Sequence, residues 1–527
     1  MTGMKSTFQD FADELAKHLE GLHSEDGEGC AEYMKNKALP VLKQLASAFS
    51  KRQPKDPEAF AAHWFAGGSA EAVVPTGSTA EAGFKIPFGR FPRGLARNPI
   101  RSLATKLLKS PGCIPMAGGR PLESLFPQIC GEPPDNELMN YGPNLAVGAP
   151  KLRAWAKDFV EKHHAPPCGW DTLDVIMMPG ATNSIAMTVL LCTDVDDSIL
   201  CDEFTYTGLV AVMNPLGRRA VGVKMDESGM IPAQLREVVA GLAAKHRAPR
   251  LLYMVPTGQN PTGLTMPEGR RREILEVARE LQLMIIEDDP YYHLALGPED
   301  ATDAEGMPGM ESKTAVPPSF LALDTDGRVC RLDSGSKTFA PGFRLSWLTA
   351  PRAMTGHLAV MGEVLTWSLS GFAQQALMRC VEDLGAEGLH KHMQRLQWVY
   401  RQKRDLCVEA FGKHLHGLAT WKLPTDGMFL WVEVLGLHDA CRLAEPLVDR
   451  GVAMVPGSAF LAEPYSTPCS KFRVSFTQLT KDSADEAGRR LAEALRDDQW
   501  LAMHGVRRGH DCEEAVGEAP EKVPRVC

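Results

Sequence analysis

The chain has 527 residues, 44% hydrophobic and 23% charged, an ordinary balance for a soluble globular protein of two or three domains. Its formal net charge of −9 excludes a basic nucleic-acid surface, and no apolar run is long enough to cross a bilayer. Thirteen scattered cysteines without a C-x-x-C pair argue against a zinc site or disulfide framework; with the acidic Asp10, Asp13, Glu14 and Glu20 near the N-terminus and no apolar signal core, they point to the cytoplasm.

Phe8, Phe11, Ala12, Leu15, Leu19 and Leu22 fall at helical spacing, and Leu39, Leu42, Ala46 and Phe49 predict a second amphipathic helix. A Gly/Ser/Ala/Thr-rich stretch, 66–83, reads as a linker. From about Asp174 short apolar strands (DVIMM, SILCD, LLYMV, LMIIED, VCRLD, RLSWLTA) alternate with amphipathic helices. That alternation predicts an α/β fold with a mostly parallel sheet covered on both faces, where ligands collect beyond the carboxyl ends of the strands. A long helical stretch after about Arg352, then WKLPTDGMFLWVEV and KFRVSFT, suggests a second, smaller α+β domain, and the chain after about Leu501 reads as an irregular tail.

Five segments could carry chemistry. Gly180-Ala181-Thr182-Asn183 follows a strand and starts a helix, which suits either a phosphate or a plain capped turn. PTGQNPTG, containing Asn260, is either a tight loop or a loop that presents an amide to a ligand. Glu287, Asp288 and Asp289 end a strand before Tyr291 and Tyr292; these carboxylates could bind magnesium or pair with a protonated ring nitrogen. Asp333-Ser334-Gly335-Ser336-Lys337, with Arg344 seven residues on, reads as surface or as a second half of a phosphate site around a nucleophilic lysine. Arg473, on KFRVSF, is a structural ion-pair partner or a bidentate carboxylate clamp.

In this order the segments resemble the fold-type I pyridoxal-phosphate enzymes, and most of all the class I aminotransferases of the kynurenine/α-aminoadipate and fungal aromatic branch. The resemblance runs from about Ala96 to Leu495 and is carried by PTGQNPTG, IIEDDPYY, DSGSK with GFRLSW, DGMFLWV and DESGMIP. It implies a large domain with a central sheet sandwiched by helices plus a smaller α+β domain. The expected boundaries are an N-terminal helical extension and linker at 1–85, an arm and small-domain segment at 86–134, the cofactor domain at 135–355, the small domain at 356–500 and the tail at 501–527.

The resemblance also implies pyridoxal 5'-phosphate as cofactor, with Lys337 forming the Schiff base and shuttling the proton at substrate Cα. Asp288 matches the partner of the pyridine nitrogen, Asn260 and Tyr291 the donors to the phenolic oxygen, and Tyr206 the ring that stacks on the cofactor. Gly180, Ala181, Thr182, Ser334, Ser336 and Arg344 match the phosphate cradle. Tyr141 matches a tyrosine reaching the phosphate from a second subunit, so a homodimer is implied. Arg473 matches the clamp on the substrate's α-carboxylate, with Asn260 and Gly119 on the substrate side and Arg101 on a closing N-terminal segment. The implied reaction moves an amino group from an aromatic, kynurenine, 2-aminoadipate or glutamate type donor to a 2-oxo acid such as 2-oxoglutarate by a ping-pong route.

The pattern departs from close relatives at Ala181, which lacks a hydroxyl, at Phe204 in place of proline, at Gly335 in place of an aromatic residue, and at Arg120. Arg120 is either a surface charge or a site for the distal carboxylate of an acidic substrate. A β-lyase on the same fold is an alternative, as is an aminotransferase-like transcription regulator. The eight Lys/Arg against ten Asp/Glu in residues 1–60 disfavour a DNA-binding arm, and the full set of site residues argues against a catalytically dead binding protein.

Overall fold

The computed structural model describes residues 110, 112–118, 122–126, 138, 146–244, 248–297 and 316–504, so the two N-terminal helices, the linker and the chain beyond 504 lie outside the described residues. Helix α1 (Pro150–His164) precedes β1 (Leu173–Met178), α2 (Ala181–Cys192), β2 (Ser198–Asp202), α3 (Thr207–Met213), β3 (Arg219–Val223) and β4 (Leu251–Met254). Then come α4 (Glu268–Glu280), β5 (Met284–Asp288), β6 (Val329–Ser334), the single turn α5 (Gly335–Thr338), β7 (Ser346–Pro351) and α6 (Arg352–Leu365). The expected strands and helices of this region are present. β3, at the sheet edge, carries no clear apolar run and was not legible as a strand.

The seven strands lie in the order β1-β7-β6-β5-β4-β2-β3. All neighbouring pairs are parallel except those of β7, which runs antiparallel between β1 and β6. Successive side chains point to opposite faces of a strand, and the core sorts accordingly. Ile176, Met178, Tyr253, Ile286 and Leu332 join Ile185, Leu209 and Leu358 on one face. Val175, Met177, Leu252, Ile285, Val329 and Trp347 join Leu152, Phe159, Ile274 and Ala278 on the other. Burial on both sides explains why these strands read as unbroken apolar runs.

Long helix α7 (Gly371–His414) is broken at Gly385, whose φ of 60° and ψ of −175° are not helical. It leads into an antiparallel sheet of β8 (Ala419–Trp421), β9 (Phe429–Val434), β10 (Val455–Pro456) and β11 (Lys471–Ser475), in the order β8-β9-β11-β10. Helix α8 (Lys481–Arg496) packs on α7, and a last helix, Asp498–Met503, carries regular structure past Leu501. The segment before α1 also belongs here: Ile114–Pro115 pairs with Val452–Ala453, and Ser475 N donates to Met116 O at 2.8 Å.

The carboxyl end of β5 carries three consecutive acids, which strand alternation divides. Glu287 is registered opposite Arg331 of β6 and lies on its face. There Arg331, fully buried, meets Glu287 at 3.1 Å, Asp289 at 3.4 Å and Asp333 at 2.8 Å. Glu287 also accepts the backbone N–H groups of Phe320 and Leu321, while Thr257 bridges Asp289 to the buried Arg271. Burial pushes Asp289 up to about 7 and raises Asp333, with Arg331 pulling both down. Removing one partner of such a group leaves buried charge uncompensated. Arg331→Met is therefore expected to lower the urea midpoint by the equivalent of about 3–5 kcal/mol; an unchanged midpoint would show that the network contributes nothing.

Candidate active site

Antiparallel β7 builds one half of the site. Ser346 pairs with both Met178 and Ser334, so the amino end of β7 sits at the edge where β1 and β6 end. Gly180-Ala181-Thr182, Ser334-Gly335-Ser336 and Arg344 therefore meet. Gly180 has φ +93°, and a Cβ there would fall 2.3 Å from Arg344 Nη2, so glycine alone permits this approach. Arg344 Nη1 donates to Ser336 Oγ at 3.4 Å and to Pro341 O at 3.0 Å. The Ser334 hydroxyl accepts from Ser336 N at 3.2 Å. With the Ala181 and Thr182 amides at the start of α2, this is an anion cradle.

Lys337 follows within α5. Its enclosed surroundings, then the Arg473 and Arg344 charges, lower its pKa to about 8, while Asp288 opposes them. Asp288, on the opposite face of β5 from Arg331, is pushed up to about 6 by burial. Its Oδ2 accepts from the Tyr253 hydroxyl at 2.6 Å, and its buried Oδ1 has no hydrogen-bond partner among the described residues. Tyr206, just before α3, is half-buried; burial raises its pKa and a hydrogen bond with Thr182 lowers it.

The PTGQNPTG loop closes the other side. Gly258 and Gly427 touch backbone to backbone, and a Cβ on Gly258 would fall 2.7 Å from the Gly427 Cα. This contact docks the loop on the strand containing Phe429. Asn260 Oδ1 then accepts from Arg473 Nη1 at 2.7 Å, and Asn260 Nδ2 donates to Tyr291 OH at 3.5 Å. Arg473 Nη2 donates to Ala117 O at 2.6 Å, and the guanidinium lies between the rings of Phe429 (4.3 Å) and Phe460 (4.9 Å). Burial lowers its pKa to about 10, yet it stays cationic at neutral pH, and its Nε has no partner among the described residues.

The structure thus brings together Gly180, Ala181, Thr182, Tyr206, Asn260, Asp288, Tyr291, Ser334, Ser336, Lys337, Arg344 and Arg473. Arg101, Gly119, Arg120 and Tyr141 lie outside the described residues. Glu287 and Asp289, which could have gathered a magnesium ion, gather Arg331 instead. Tyr253, the Ala117 carbonyl and the Phe429/Phe460 pair escape sequence reading. Tyr253 is the one residue with a polar group in the apolar strand LLYMV that leads into PTGQNPTG, and that is the signal that could have found it.

An anion cradle, a lysine of lowered pKa and a buried carboxylate oxygen lacking a donor fit a molecule with a phosphate, an aldehyde and a protonated ring nitrogen. The chain matches the family model "Aminotransferase class I and II" over residues 136–491. It is 33% identical over 430 residues to the mitochondrial kynurenine/α-aminoadipate aminotransferase of Bos taurus, covering 76% of this chain and 97% of the relative. It is 31% identical over 385 residues to an aromatic amino acid aminotransferase of Schizosaccharomyces pombe, covering 69% and 80%. Among solved structures, the kynurenine aminotransferase of Pyrococcus horikoshii, in complex with PMP, superposes with a TM-score of 0.67 at 25% identity, covering 78% of this chain and 97% of that one.

An amine reacts with an aldehyde only when neutral, so a lowered pKa enlarges the reactive fraction near neutrality. Condensation of cofactor-free protein with pyridoxal 5'-phosphate should accelerate with rising pH through about 8 and then level off. A rate that climbs on towards the ordinary 10.5 would show that burial and the surrounding cations do not act on Lys337.

Proposed function

This chain belongs to the class I and II aminotransferases, and from that premise we propose that the residues gathered around Lys337 carry out its transamination. It is a pyridoxal 5'-phosphate enzyme that moves the amino group of an amino acid to a 2-oxo acid. The observation that carries the residue assignment is the convergence of Lys337, the buried donorless Oδ1 of Asp288 and the anion cradle at one sheet edge.

When bound, the cofactor supplies an electrophilic carbon and a protonated pyridine that takes up the electron pair released at substrate Cα. Lys337 Nζ would hold the cofactor and, once released, carry the proton from substrate Cα to the cofactor's electrophilic carbon. Asp288 Oδ1 would accept from the ring nitrogen, and Asn260 and Tyr291 would donate to the phenolic oxygen. Thr182, Ser334, Ser336, Arg344 and the amides at Gly180-Ala181 would hold the phosphate, with Tyr206 against the ring. Arg473 clamps the substrate carboxylate and so orients the Cα–H bond, which lowers the entropic cost of proton transfer. The resemblance assigns Gly119 and Arg101, which lie outside the described residues, to the substrate side.

The relatives' names support aromatic amino acids, kynurenine and 2-aminoadipate as donors, and we propose 2-oxoglutarate as an acceptor. A homodimer is proposed from the apolar surface at the end of α6 and the start of α7, where Val364 and Trp367 are 73% and 68% exposed beside Val360, Leu365 and Phe372. We also propose a large domain at 135–355 and a small one at 356–500, a division that the separate seven-stranded and four-stranded sheets support. Free cysteines support a reducing compartment such as the cytoplasm, while the mammalian relatives are named as mitochondrial.

The test mixes single amino acids with loaded protein and follows the cofactor's absorbance. Kynurenine, 2-aminoadipate or an aromatic donor should convert it, Lys337→Ala should abolish turnover, and Arg473→Leu should cut kcat/KM by about a hundredfold. Pyruvate and ammonia from a cysteine conjugate, without donor conversion, would make the chain a β-lyase instead.

A further inference from the structure

Tyr253 enters the site through its contact with Asp288. It lies on β4 opposite Ile286 of β5, and period-two alternation therefore places it on the face of Asp288, one diagonal step away. Its side chain is fully buried, and its hydroxyl donates to Asp288 Oδ2 at 2.6 Å, in the range of a charge-assisted bond. One oxygen of the carboxyl group is thus fixed by a rigid aromatic side chain. The other, Oδ1, is buried without a partner among the described residues.

We propose that Tyr253 is a positioning residue for the cofactor: by occupying Oδ2 it fixes the plane of the Asp288 carboxylate and leaves Oδ1 as the acceptor for the ring nitrogen. The inference rests on the Asp288 assignment made above and deepens it. Burial, and then the adjacent Asp288 charge, hold the Tyr253 phenol well above its ordinary pKa, so the donor keeps its proton at any working pH. Burial also drives Asp288 towards protonation, and the Tyr253 bond is the largest influence opposing it. Without that bond the carboxyl group is pushed further towards protonation and left with an unsatisfied oxygen, which makes it a poorer partner for a protonated ring nitrogen.

The test measures cofactor affinity of the full chain for pyridoxal 5'-phosphate and for its deaza analogue, in which a C–H replaces the ring nitrogen. Tyr253→Phe should weaken binding of the natural cofactor roughly ten- to hundredfold, while binding of the analogue is unchanged. In an Asp288→Asn background Tyr253→Phe should add nothing, and in the loaded single variant the pH midpoint of the cofactor's absorbance should move. Equal losses for both ligands would make Tyr253 a packing residue and overturn the proposal. If Asp288→Asn itself does not distinguish the two ligands, the Asp288 assignment falls instead. Should Tyr253→Phe fail to fold, 3,5-difluorotyrosine at position 253 keeps the shape while strengthening the acid. An unmoved absorbance midpoint in that protein would equally overturn the proposal.

Discussion

Arg331 allows three carboxylates to share the interior beneath one sheet edge. A buried charge is tolerated only when paired and hydrogen-bonded. Arg331 meets Glu287, Asp289 and Asp333 together, and those residues are tied on to Arg271, Thr257 and two backbone amides. The loops after β4, β5 and β6 are thereby held in one mutual arrangement. Asp288, on the other face of β5, is the carboxylate left facing Lys337. Three acids adjacent in sequence serve two purposes because a strand alternates.

The substrate side depends on contact between the PTGQNPTG loop and the four-stranded sheet. Arg473 is set between two phenyl rings, with its edges bound by Asn260 and by the Ala117 carbonyl. That arrangement requires the Gly258–Gly427 contact, since a side chain at either position would push the loop from the sheet. Residues from four separated stretches therefore hold the arginine before any substrate arrives, which reduces the ordering cost of binding.

The departures from the family pattern have local physical settings. Phe204 packs edge-on against Trp431 at 5.3 Å, while the neighbouring Thr205 N donates to Phe460 O at 2.7 Å. The loop bearing Tyr206 is thus joined to the small domain by an aromatic contact. Gly335 sits where an added Cβ would lie 3.3 Å from Phe339, so the turn has little space for an aromatic side chain. Ala181 contributes its backbone amide to the cradle and no hydroxyl.

The sequence by itself determined the alternation of apolar strands and amphipathic helices, and hence the α/β fold, because periodicity and turn residues are local properties of a chain. The candidate site residues were also legible there, since each lies in a short motif with its own chemistry. Only the tertiary structure decided that β7 runs antiparallel, which is what puts Arg344 beside Gly180. It also decided that Glu287 and Asp289 turn to Arg331 and that Tyr253 holds Asp288. Strand direction, register and charge pairing are relations between segments far apart in the chain, and local periodicity carries no information about which distant partner a face will meet.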